Sequence, residues 1–235
     1  MRIAIFTISL GKYDIFFNDF YNSVNTNFLP AHDKTFFLFT DKMFESKSNL
    51  IQIKQEKMGW PYDSMMRFHL LNKIKDEISK FDYIFFFNVN MLAVQKIGDE
   101  VLPKIDNDFL VGCNHPLHFH QAPHFLPYER KSEISCSIPY TEGKYYYQGC
   151  FNGGRVEEFL AMSKILSENI DNDLKNNQIP VWHDESYLNW YFNKKNPLLL
   201  SYNYIYPEGM NLPDMNPIMI QRDKWKYMNK EKLRS

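Results

Sequence analysis

Cysteine is scarce in this chain, and long apolar runs are missing. Cys113, Cys136 and Cys150 are odd in number and show no close-pair spacing, which argues against a disulfide framework or a zinc knuckle and suits a reducing compartment. No stretch approaches the roughly 20 apolar residues of a membrane span. The opening MRIAIFTISLGKYD has too short an apolar run before Lys12 and Asp14 for a signal peptide. A soluble, cytoplasmic protein is expected. Charge of one sign is not in excess either. With 27 basic and 28 acidic residues the net charge is −1, so bulk charge points to neither nucleic acid nor an anionic membrane. Neither GxGxxG nor a P-loop occurs, and no internal repeat or low-complexity linker divides the chain. The 235 residues therefore read as one domain.

What is present is aromatic and unevenly charged. From Arg222 to Arg234 six basic residues face only Asp223 and Glu231, so 222–235 is a basic tail on an otherwise acidic chain, expected to order only when a ligand binds. Tyr83 to Phe87, within FDYIFFFNVNM, offers no polar side and reads as a strand buried on both faces. The polar triplet Asn88-Val89-Asn90 then stands at a strand's carboxyl end, where open α/β sheets bind ligands.

Further strands are expected at Arg2 to Ile8, Lys34 to Phe39, Leu50 to Ile53 and Leu110 to Cys113. Apolar residues at helical spacing predict helices with stripes Phe16 to Phe28 and Met65 to Ile78, the second capped by Asp63 or Ser64. Val156 to Ile170 and Tyr187 to Phe192 predict two more. The pattern is a mixed central sheet flanked by helices. Arg67, early in the second helix, is on its own either a solvated arginine or a site residue. Gly149, Gly153 and Gly154 follow an aromatic strand and predict either a tight strand-to-helix turn or a close approach of ligand to backbone.

Two stretches carry chemistry. His115, His118, His120 and His124 invite a metal reading, although prolines break the segment and no carboxylate or thiol completes a familiar ligand spacing; a polar acceptor-binding loop is the plainer account. Trp182, His183, Asp184 and Glu185 bring an indole, an imidazole and two carboxylates to the start of a helix, where the acids are either caps or catalysts.

Taken together, VWHDES (181–186) with Leu188 and Asn189, YYxGxFxGG (146–154), NVNM where DVDM would stand, FTD (39–41) and the Trp60, Ser64, Met65, Arg67 pattern resemble the family 6 retaining glycosyltransferases. That family includes the histo-blood group and α-1,3-galactosyltransferases. The resemblance implies a GT-A type fold and a bacterial-type catalytic domain. It would transfer N-acetylgalactosamine or galactose from a UDP donor to a β-galactoside, plain or 2′-fucosylated, in an α-1,3 linkage. Glu185 would be the catalytic carboxylate. Phe6, Thr7, Ile8 and Tyr13 would surround uridine, with Arg67, Asn88, Val89, Asn90, Lys224 and Lys230 at the diphosphate. Gln148, Gly149, Cys150, Trp182, His183 and Asp184 would line the sugar subsites. Amides are poor ligands for magnesium or manganese, so no divalent cation is expected, and lysines of the tail would supply the positive charge. Two rival readings are a carbohydrate-binding module derived from a transferase and a metal-dependent hydrolase built on the histidine cluster.

Overall fold

The structure, a computed structural model, describes residues 1–228; Lys230 lies outside them. The chain runs β1 (Arg2–Ser9), α1 (Asp14–Asn27), β2 (Asp33–Thr40), β3 (Leu50–Lys54), α2 (Tyr62–Met65), α3 (Arg67–Lys73), α4 (Lys75–Ile78), β4 (Tyr83–Asn88), β5 (Met91–Ala93) and β6 (Leu110–Asn114). It continues through β7 (Tyr147–Arg155), α5 (Val156–Lys175), α6 (Asp184–Phe192), β8 (Leu198–Leu200), β9 (Tyr206–Pro207), β10 (Met219–Gln221) and α7 (Lys224–Tyr227).

Seven strands form one sheet in the order β3-β2-β1-β4-β7-β6-β8. The first four are parallel, β7 is antiparallel to both β4 and β6, and β8 is parallel to β6. The aromatic strand β4 lies in the middle, and its side chains alternate between two cores. Phe85 and Phe87 pack with Phe16, Phe20 and Phe28 from the α1 side. Ile84 and Phe86 pack with Phe68, Phe159 and Leu188 from the side of α3, α5 and α6. Both faces of the sheet are therefore covered, which is why this strand carries no polar face. A smaller sheet, β5-β10-β9, fastens residues 206–221 beside the end of β4.

The helix expected around Met65 to Ile78 is three short helices, broken at Met66 (φ −83°, ψ 9°) and Ile74 (φ −116°, ψ 20°). Met65, Phe68, Leu70 and Ile78 are all buried, and at about 100° per residue one straight helix would spread them over more than one face. The breaks resolve that conflict. Asp63 does not cap the helix; its Oδ1 accepts the N–H groups of Met58 (2.6 Å) and Gly59 (3.2 Å) in the preceding turn. Ser64 instead donates to the Pro61 carbonyl at 3.2 Å.

Gly153 and Gly154 form no strand-to-helix turn, because both lie inside β7. A Cβ on Gly153 would stand 2.4 Å from Phe85 Cδ1 and 2.7 Å from the Ile84 carbonyl oxygen; one on Gly154 would meet the Phe109 carbonyl oxygen at 2.5 Å. These glycines admit neighbouring strands rather than a ligand. Among the described residues no helix is long and apolar enough to cross a membrane. Replacing Gly153 with Ala should destabilise the protein by roughly 1–3 kcal/mol through overpacking, seen as a lower urea midpoint with an unchanged slope.

Candidate active site

Sheet register brings the site together. Ile8 at the end of β1 pairs with Asn88 at the end of β4. On the other side of β4, Phe87 pairs with Phe151, which sets Cys150 near Asn88. A cavity of about 590 Å³ opens at this edge. Ile8, Tyr13, Asn88, Val89, Gln148, Gly149, Cys150, Trp182, Asp184, Glu185 and Lys224, all expected from the sequence, line it. So do Lys12, Lys42, Lys57, Asp63 and Gln221, to which the sequence gives no site role, and Trp60 of the quoted motif.

Five expected residues stand back from the cavity. Phe6 is a core residue whose ring packs against Phe39 (5.6 Å) and Phe86 (5.4 Å). Thr7 donates its hydroxyl to the Phe87 carbonyl at 2.8 Å. β1 is paired on both edges up to Ile8, so only its last residues reach the cavity. Asn90 is buried and bonded to Arg222, at 2.7 Å from Nδ2 to the carbonyl oxygen. Arg67 is not solvated: it lies behind the wall, 2% exposed, over the rings of Phe86 (4.4 Å) and Phe68 (4.8 Å). His183 does not line the cavity either; its ring meets Trp60 edge-on at 5.0 Å.

Glu185 sits in the first turn of α6, just after His183, whose backbone has φ 52° and ψ −124°. Its Oε1 accepts the Tyr146 hydroxyl at 2.8 Å and its Oε2 accepts the Gly149 N–H at 2.6 Å. Crowding by protein pushes the pKa of this half-buried carboxyl up to about 7, against the lowering effect of those two donors. Arg67 Nη1 donates to the Gly149 carbonyl at 2.7 Å, and its Nε lies 3.3 Å from Asp184 Oδ2 without hydrogen-bond alignment. Burial lowers the Arg67 pKa while Asp184 opposes the change.

Asn189, one turn after Glu185, brackets Tyr147: its Oδ1 accepts the Tyr147 N–H and its Nδ2 donates to the Tyr147 carbonyl, both at 2.8 Å. A second Nδ2 bond, at 2.9 Å, reaches the Glu185 carbonyl. Tyr146 and Asn189 were inside the quoted motifs but had no assigned role. An asparagine amid the apolar run Tyr187 to Phe192 was the available signal.

Gln148 donates from Nε2 to Gln221 Oε1 at 2.9 Å, and its own Oε1 is buried without a partner. The histidine segment is a long irregular stretch held by Arg130, which donates to the carbonyls of Pro123, Leu126, Ile138 and Pro139. The rings of His115 and His118 pack on each other (4.6 Å) and on Tyr146. Burial holds the His115 pKa down to about 3, and its Nδ1 accepts the Leu117 N–H. Among the described residues no three His, Cys, Asp or Glu side chains are grouped to hold a metal ion.

The raised pKa of Glu185 has a consequence for stability. Between about 4.5 and about 7 the folded protein holds a proton that the unfolded chain has released. This site's contribution to stability is therefore greatest below that window and falls as pH rises through it. Unfolding free energies measured across that range should show this decline in the parent, and Glu185→Gln should lack that component.

Residues 1–235 match the family model described as glycosyltransferase family 6. The chain is 37% identical over 227 residues to the Escherichia coli protein named O-antigen biosynthesis glycosyltransferase WbnI, covering 95% of each. It is 25% identical over 219 residues to rat histo-blood group ABO system transferase 2, covering 88% of this chain and 64% of the relative. With mouse globoside alpha-1,3-N-acetylgalactosaminyltransferase 1 it shares 28% over 224 residues, 91% of this chain and 63% of the relative. It thus spans just under two thirds of those two animal relatives. The chain belongs to glycosyltransferase family 6, a transferase of sugar from a nucleotide donor to a glycan, and its mixed seven-stranded sheet is of the family's GT-A type.

Proposed function

We propose that this protein transfers N-acetylgalactosamine, or galactose, from its UDP donor to the 3-hydroxyl of a β-galactoside, in its fullest form 2′-fucosylated, with retention of configuration and without a metal ion. The observation that carries the reading is Glu185, held by Tyr146 and Gly149 in a cavity that is also lined by four lysines. Relatives named for histo-blood group ABO, globoside alpha-1,3-N-acetylgalactosaminyl and O-antigen glycosyl transfer support the sugar class.

Breaking the bond from the anomeric carbon to UDP leaves positive charge on carbon and sends the electron pair to a phosphate oxygen. The Glu185 carboxylate meets the first charge. It either attacks carbon to form a glycosyl ester, later displaced by the acceptor hydroxyl, or stabilises the cation while the acceptor attacks. In both routes the acceptor's proton leaves with UDP. Lys12, Lys42, Lys57 and Lys224 line the same cavity and meet the phosphate charge; Lys42 also bonds Asp14. The relative named for alpha-1,3-N-acetylgalactosaminyl transfer favours N-acetylgalactosamine as the donor sugar.

A divalent cation does not fit the residues at the end of β4. Asn88 and Asn90 are neutral amides, and Asn90 is buried outside the cavity lining, with its Nδ2 bonded to the Arg222 carbonyl. The lysines carry the positive charge in this reading, and Arg67 serves Gly149 and Asp184 rather than the diphosphate.

UDP-N-acetylgalactosamine and UDP-galactose should be assayed against lactose and 2′-fucosyllactose with and without chelator. N-acetylgalactosamine transfer that is indifferent to chelator is expected; loss of turnover restored by manganese would refute metal independence. Glu185→Gln should reduce kcat by roughly 10²–10³-fold, and parental activity in that variant would remove the carboxylate from the mechanism. Lys224→Ala should lower kcat/KM for donor by about tenfold.

A further inference from the structure

We infer that Asn90 is a positioning residue for Lys224: its amide locks the C-terminal segment to the end of β4, and an ionised carboxylate there cannot. Asn90 and Arg222 exchange two bonds. The Arg222 N–H donates to the Asn90 carbonyl at 2.9 Å, and Asn90 Nδ2 donates to the Arg222 carbonyl at 2.7 Å. A carbonyl only accepts, so the side chain facing it must donate, and an ionised aspartate has no donor. Aspartate has nearly the same shape, yet it would set two acceptors against each other. Asn90 is only 6% exposed, which leaves little room for water to relieve that conflict.

The lock sits two residues before Lys224. Arg222 is also fastened to Asp19 at 2.8 Å and over the rings of Phe16 (4.9 Å) and Tyr227 (4.4 Å). Asp223 accepts the Trp225 N–H at the start of α7, and its own N–H donates to Glu208 at 2.8 Å. Upstream, Gln221 accepts the Gln148 amide. Gln221 and Lys224 line the cavity on either side of a segment whose place is set by Asn90. The sequence motif suggests two equivalent amides at the diphosphate. The structure instead separates an exposed Asn88 at the cavity from a buried Asn90 in the chain junction.

This inference rests on the proposed role of Lys224, and the test separates the two. Asn90→Asp, Lys224→Ala and the double variant of the full chain are assayed with UDP-N-acetylgalactosamine and chelator from about pH 5 to about pH 8. The charged groups around the junction are Asp19 on α1, Glu208, and Arg222, Asp223, Lys224 and Lys226 of the segment itself. All but Lys224 are common to every form, so ratios to the matched background at each pH isolate residue 90. At the alkaline end Asn90→Asp should lower kcat/KM for donor about tenfold. The ratio should recover toward one in acid, where the protonated carboxyl regains a donor. In the Lys224→Ala background the same substitution should cost little more.

Limited trypsin digestion without donor gives a readout independent of activity. Cleavage after Arg222 and Lys224 should be faster in Asn90→Asp than in the parent near neutral pH. Unchanged cleavage would overturn the lock. A loss that is constant with pH, adds in full to Lys224→Ala, or is restored by manganese would place Asn90 on the substrate and overturn the inference. Parental activity of Lys224→Ala would remove Lys224 from the diphosphate, and with it the positioning role, whatever the digestion shows.

Discussion

The backbone at Gly149 is the fixed point of the site. Its N–H donates to Glu185 and its carbonyl accepts from Arg67, so the two planar peptide groups that meet at this one Cα hold a carboxyl and a guanidinium side by side. Withdrawing two such groups from water costs several kcal/mol each unless geometry and hydrogen bonds compensate. The compensation here is local: Tyr146 bonds the other carboxylate oxygen, and Asp184 stands beside the guanidinium. A side chain at 149 would bring its Cβ to 3.3 Å from Glu185 Oε2. Glycine there admits protein groups as well as leaving the cavity open. Arg67 also rests on Phe86, so the central aromatic strand supports the site from behind.

The start of α6 shows how that arrangement is kept. His183 adopts φ 52° and ψ −124°, a conformation that costs a non-glycine residue about 1–3 kcal/mol. Bonds on both sides hold it. Glu129 accepts the Val181 N–H at 2.7 Å, and Asn189 ties the first turn of α6 to Tyr147. The strain turns the chain so that Asp184 and Glu185 face β7 instead of serving only as caps.

Patterns set by one element and its immediate neighbours were legible in the sequence. Ile84 to Phe87 had to be buried on both sides because nothing in the segment could face water, and the two cores show why. Strand polarity placed the carboxyl end of β4 at a ligand edge, while the residues of β1 and of the amino end of the antiparallel β7 were assigned to it from the family motifs. Features that depend on what comes across from elsewhere were not legible. Phe6 and Thr7 look like ligand contacts in a motif, but pairing on both edges of β1 draws them into the sheet. Gly153 and Gly154 look like a turn until Phe85 and Phe109 are seen against them. Lys12, Lys42 and Lys57 are ordinary lysines in sequence, and only the fold brings them to the same cavity as Lys224.

On the proposed reading, charge at the leaving group is spread rather than concentrated. A divalent cation between two carboxylates puts a dense charge at one point; lysines around a cavity give weaker fields, because Lys12 and Lys57 are exposed and water screens them. Several cations must then approach from different parts of the chain, and each depends on a backbone anchor. Lys57 lies along Gly11, where an added Cβ would meet its Cδ at 3.3 Å. Gly11 is itself held by the Asp41 carboxylate. Lys224 follows the Asn90–Arg222 junction. Exchanging acids for amides at the end of β4 therefore changes more than the local charge. It removes two anions that would compete with the phosphates for these lysines, and one of the amides fastens the segment that brings a lysine in.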